Sequence, residues 1–165
     1  MSVTGIEKLE FGVEDLAQSA KFMSDFGLRD DGSHRRFSTL SGAQVALYPL
    51  DAPELPAAFE PGSTLRRMTW AVADSAALAA LAPKLAQQPG FREVGEALEC
   101  LDPNGMTLRV VVSQQHDVKL NVPAINQWGD TRRVDMPSPV YAHAEPINIG
   151  HVVVFVDDLA ATESF

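Results

Sequence analysis

Four histidines, one cysteine and a few charged residues on strand-like segments are the groups in this sequence best suited to chemistry. His151 opens the apolar run His151-Val-Val-Val-Phe-Val156, which leads into Asp157 and Asp158. By strand parity it shares a face with Val153 and Phe155, opposite Val152, Val154 and Val156. An imidazole there can ligate a divalent metal or simply hydrogen-bond near a sheet edge, and alone it makes no metal site. His34, His116 and His143 stand in turn or connector contexts and read as surface residues. Cys100 lies in the apolar run Ala97–Leu101, where a small core side chain is a better reading than a nucleophile.

A second group is ionic. Lys8, Glu10, Arg67 and Arg109 fall at same-face positions of strand-like segments. They form either a pocket for an anionic ligand or a set in which Glu10 offsets the cations. The latter is preferred, because unpaired buried charge is costly. It requires Glu10 to lie within ion-pair reach of at least one of those cations.

An internal repeat supplies the elements that position these residues. Lys8-Leu-Glu-Phe-Gly-Val-Glu-Asp15, Arg67-Met-Thr-Trp-Ala-Val-Ala-Asp74 and His151-Val-Val-Val-Phe-Val-Asp-Asp158 each read as a strand running into an acidic helix start. The first two copies stay alike further on. Gly27, Gly32 and Gly42 match Gly90, Gly95 and Gly105 at one common offset, so each copy reads as strand, helix and three strands.

In copy one, Leu9, Phe11 and Val13 alternate as in a half-buried strand. Asp15 opens a helix bearing Leu16, Ala20 and Met23 with Phe22 and Phe26, and Gly27 ends it. Strands follow near Leu28–Asp30, Arg35–Leu40 and Gln44–Tyr48. In copy two, Asp74 or Ser75 caps a helix carrying Leu78, Leu81 and Leu85, which Pro83 should kink or split. Strands near Phe91–Val94, Ala97–Leu101 and Met106–Val112 complete it, with Asp102-Pro-Asn-Gly105 as a tight turn. Trp70 falls on the helix-facing side of its strand and reads as core.

From Gln114 to Asn148 periodicity fades and prolines recur, which reads as a connector between domains packed by Trp128. The third copy matches the first through Val156, Asp158, Leu159, Ala160 and Phe165, so the sequence stops where copy one has Phe22, partway along a helix. The expected organisation is a pair of modules over 1–113 (1–50 and 64–113), a connector over 114–148 and the start of a truncated third module over 149–165.

Bulk properties exclude several classes. A net charge of −9 argues against nucleic-acid binding, and Arg35-Arg36 and Arg132-Arg133 are too short to reverse that. A single cysteine excludes an internal disulfide and fits a reducing, cytoplasmic setting. There is no apolar signal core at the N-terminus and no run near the ~20 apolar residues of a membrane-spanning helix.

The strand-Val-x-Asp starts, the Asp102-Pro-Asn-Gly105 turn and the Gly150–Leu159 run together resemble the vicinal-oxygen-chelate superfamily of glyoxalases, bleomycin-resistance proteins and type I extradiol dioxygenases. The resemblance implies an α+β fold of tandem βαβββ modules, forming a curved, partly open barrel-like sheet with helices outside. It also implies metal ligands on the first and last strands of a module. Lys8, Ala46, Arg67 and Arg109 occupy those positions in modules one and two, and none suits a divalent cation. That pattern is similar to extradiol dioxygenases, in which a metal-free pair precedes a catalytic pair. His151 would then be the first ligand of a 2-His-1-carboxylate Fe(II) or Mn(II) site in an intact parent acting on a catechol-like diol and O2. No catalytic residue and no bound cofactor are expected in this chain itself. The alternative is a glyoxalase- or resistance-like module that binds a small molecule without catalysis. An exposed strand in a broken third module would favour a homodimer or a strand swap.

Overall fold

The computed structural model describes residues 3–120 and 143–165. Eleven elements follow along the described residues. They are β1 (Val3–Val13), α1 (Leu16–Asp25), β2 (Arg29–Asp30), β3 (Arg36–Ser38), β4 (Gln44–Pro49), β5 (Thr64–Val72), α2 (Ser75–Leu85), β6 (Arg92–Val94), β7 (Ala97–Leu101), β8 (Thr107–Val112) and α3 (Leu159–Ser164). The strands form one mixed sheet in the order β2-β3-β4-β1-β5-β8-β7-β6. Each half is a βαβββ module in which the first strand pairs in parallel with the last. The halves meet at the antiparallel β1–β5 seam, which is why the strand order reads alike outward from the centre. The fold is α+β, and the curved sheet does not close into a barrel.

Local chemistry explains the helix ends. Asp15, Asp74 and Asp158 are all N-caps, each accepting a hydrogen bond from the backbone N–H three residues on. At the far end of α1, the Gly27 N–H bonds the Ser24 carbonyl and the Leu28 N–H bonds the Met23 carbonyl. This is a Schellman closure, with Gly27 at φ 101°. A Cβ at Gly27 would also collide with the Ala144 carbonyl, so both conformation and space require glycine.

Two expectations about the helices are corrected. Only Leu16, Ala20 and Met23 of α1 face the sheet. Phe22 and Phe26 point to solvent and stack on each other with ring centroids 6.0 Å apart, so one of the two apolar stripes covers no core. Helix α2 runs unbroken through Pro83. The proline lies in the last turn, where the missing N–H removes one hydrogen bond and little of the helix remains to be deflected.

Three apolar clusters line the helix side. Val13, Leu28, Phe37, Val45 and Leu47 lie under α1, and Val72, Leu98 and Val110 lie under α2. Ile6, Leu9, Leu65, Met68 and Cys100 fill the seam between them. Trp70 packs partly buried against this seam. Ile149 and Val152 also lie on it, so the chain returns across the helix side after residue 142. Pro146 and Ile147 accept hydrogen bonds from Leu40 and Ser41, and Glu145 pairs with Arg29 at 2.6 Å. Trp128, Arg132 and Arg133 lie outside the described residues. Among the described residues no helix is long and apolar enough to cross a membrane.

The run from His151 to Val156 departs from its expected strand. It is not hydrogen-bonded into the sheet, although α3 follows it as the repeat anticipates. A strand needs a partner to satisfy its backbone donors and acceptors, and among the described residues none pairs with this run. Val153 and Phe155 are consequently exposed.

Candidate functional site

Strand register gathers the charged residues on the face of the sheet away from the helices. One row crosses all eight strands: Arg29, Ser38, Gln44, Lys8, Thr69, Arg109, Glu99 and Arg92. The next row holds Arg36, Ala46, Glu10, Arg67, Thr107 and Leu101. The period of two that points Leu9 and Met68 toward the helices points Glu10 and Arg67 away from them.

At the centre, the Arg67 guanidinium forks onto Glu10, with Nε 2.5 Å from Oε2 and Nη2 3.1 Å from Oε1. Lys8 Nζ lies 3.2 Å and the Tyr48 hydroxyl 3.3 Å from Glu10 Oε1. The remaining Arg67 nitrogen reaches Glu99 Oε1 at 3.5 Å. Glu99 in turn receives Arg109 at 2.5 Å and Arg92 at 2.6 Å. Glu10 and Glu99 are each only 1% exposed and Arg67 7%, so this is a desolvated charge chain. Bidentate, charge-assisted bonds are what make such burial tolerable. The requirement that Glu10 reach a cation is met twice over. Thr69, in the row of Lys8, Arg109 and Glu99, has a buried hydroxyl without a hydrogen-bond partner among the described residues.

Burial alone would push the Glu10 carboxyl up, but Arg67 and Lys8 outweigh it and hold the group below its ordinary value of 4.5. Stabilisation from a carboxyl with a depressed folded pKa is complete above the unfolded value and is lost as pH falls through the folded one. Thermal melts between about pH 7 and about pH 3 should therefore show stability falling below about pH 4.5, with a shallower fall in Glu10→Gln. An identical acid slope in the two proteins would contradict the assignment.

Neither a family profile nor a curated protein matches the chain. Solved structures do. A catechol 2,3-dioxygenase aligns with a TM-score of 0.52 at 20% identity, over 68% of this chain and 41% of its own. The chain has the vicinal-oxygen-chelate fold. An Mn(II)-bound glyoxalase from Novosphingobium aromaticivorans aligns with a TM-score of 0.46 at 17% identity, over 71% of this chain and 42% of its own. The 2,2',3-trihydroxybiphenyl 1,2-dioxygenase from Sphingomonas wittichii gives 0.46 at 18%, over 68% of this chain and 42% of its own. This chain thus spans about two fifths of the length of these structures. At these identities the likeness establishes the fold, and chemistry has to be argued from the residues.

A metal does not fit the open face of this vicinal-oxygen-chelate pair. Its two buried carboxylates are already taken by guanidinium groups, and Lys8, Arg67 and Arg109 would repel a cation. Among the described residues no three His, Cys, Asp or Glu side chains converge to hold a metal. His151 is exposed, and among the described residues it has no neighbouring ligand set. His34, His116 and His143 are exposed as well, and His34 pairs with Asp30. Cys100 is buried, and burial pushes its thiol up, which suits a core residue.

Glu99 escapes a reading by composition because it sits inside Ala97–Leu101, an otherwise apolar run. A signal is nonetheless available. Counting outward from the Asp102–Gly105 turn pairs Leu101 with Thr107 and hence Glu99 with Arg109.

Proposed function

We propose that this chain is the metal-free N-terminal part of an extradiol-type ring-cleavage dioxygenase that acts on catechol-like aromatic diols. The observation that carries this reading is that the carboxylates buried at the centre of the open face, Glu10 and Glu99, are taken by cations and so are not free to hold a metal. In this two-module sheet of the vicinal-oxygen-chelate fold Glu10 and Glu99 are committed to arginines, and a further strand-and-cap sequence, His151 to Asp158, follows it. In this reading the pair is a scaffold, and catalysis belongs to a second pair of modules in the parent enzyme. His151 is the first metal ligand of that catalytic pair, in a cytoplasmic parent. Fe(II), or Mn(II), held by two imidazoles and a carboxylate supplies open positions for a catecholate and dioxygen. The task of the scaffold residues in this reading is positional: the seam packs against Ile149 and Val152, on either side of His151.

The test is oxygen uptake with catechol by the full-length, Fe(II)-loaded parent and its His151→Ala variant. Loss of nearly all oxygen uptake, together with loss of stoichiometric iron, is expected when a metal ligand is removed. Full activity in the variant would remove His151 from the site.

A further inference from the structure

Charge is not matched evenly across the open face. On the module-two side, Arg67, Arg92 and Arg109 share Glu10 and Glu99. On the module-one side one cation of three, Arg36, is left without an ion-pair partner among the described residues. The only carboxylate that Lys8 pairs with among the described residues, Glu10, is already forked by Arg67. Arg36 is exposed and makes no ion pair among the described residues. Arg29 reaches out to Glu145.

These three cations line one cavity of about 400 Å³, together with the Ser38 hydroxyl and the Gln44 amide. Asp31 also borders it, and hydrogen bonds from Ser33 hold its carboxyl low, with Arg36 adding a smaller attraction. The cavity lies in the volume range of small-molecule sites. Lys8, Arg29 and Arg36 line this concavity against one lining carboxylate, Asp31, and Arg36 makes no ion pair among the described residues, which favours an anion there in a protein of net charge −9. An oxyanion entering there would accept hydrogen bonds from Arg36 and Lys8 together with Ser38 and Gln44, which suits the planar fork of an arginine.

We infer that this module-one cavity binds a small molecule bearing an oxyanion, a carboxylate or a phosphate, anchored by Arg36 with Lys8 as the second cation. The inference does not depend on the dioxygenase reading. It concerns residues that carry no metal in either account.

The test is isothermal titration of the whole 165-residue chain at low salt with inorganic phosphate and, separately, with benzoate. Saturable one-site binding of at least one probe is expected, weakened about ten-fold or more in Arg36→Gln and also weakened by added salt. Arg35→Gln, outside the cavity lining, should bind like the unaltered chain. Binding of phosphate alone would identify a phosphoryl group as the ligand chemistry, and binding of benzoate alone a ring carboxylate. Absence of saturable binding of both probes to folded protein would overturn the inference. So would equal weakening by Arg35→Gln and Arg36→Gln, which would mean diffuse attraction without a site.

Discussion

Arg67→Met should destabilise the chain by about 3–5 kcal/mol, because it leaves Glu10 buried with part of its compensation gone. In a protein of this size that is a fall of roughly 2–4 °C in Tm for each kcal/mol. The informative comparison is the cycle with Glu10→Leu. Glu10→Leu alone strands the Arg67 guanidinium with Glu99, 3.5 Å away, as its one close carboxylate among the described residues. Glu10→Leu/Arg67→Met removes both charges and fills the seam with apolar volume, so its loss should be far smaller than the sum of the single losses. Urea unfolding of the four proteins gives the coupling directly. Additive losses would mean that Glu10 and Arg67 act separately, contrary to the forked geometry.

Phe37→Ala should cost about as much, roughly 3–5 kcal/mol, for a different reason. Phe37 is 1% exposed and sits in a three-residue strand at the far side of module one. It packs among Val45, Leu47, Leu28 and Ala20, and beyond its strand only the two-residue β2 remains. Backbone pairing in such short strands contributes little alone, so the ring ties β2 and β3 to the sheet. Amide exchange in both strands should accelerate together with the fall in stability. Phe22→Ala and Phe26→Ala remove rings of the same kind from solvent-exposed positions and should change stability by no more than about 0.5 kcal/mol. Comparable losses at all three positions would contradict the assignment of α1's faces.

The module plan is legible in the sequence because its signals are local. An aspartate that caps a helix, a glycine that closes one and an alternating strand each depend on near neighbours, and Asp15, Gly27 and Leu9 to Val13 behave accordingly. Glu10 is legible for the same reason, since parity alone puts it beside Lys8. Glu99 is not, because its partners Arg109 and Arg67 become neighbours only once β7, β8 and β5 are in register. The outward-facing Phe22 and Phe26 mislead because a helical stripe of apolar residues does not say whether a sheet lies beneath it. Residues 151–156 have strand composition, yet no described strand pairs with them. Pairing depends on a partner that composition cannot reveal.

The central claim is that this sheet is the scaffold pair of a dioxygenase whose metal ligands begin at His151. Reading the coding sequence past the codon for Phe165 tests it most directly. The account predicts an open frame through the rest of a third βαβββ module and a fourth, with a histidine on the fourth module's first strand and a glutamate on its last. A stop codon directly after Phe165, or two further modules lacking that histidine and glutamate, would contradict it.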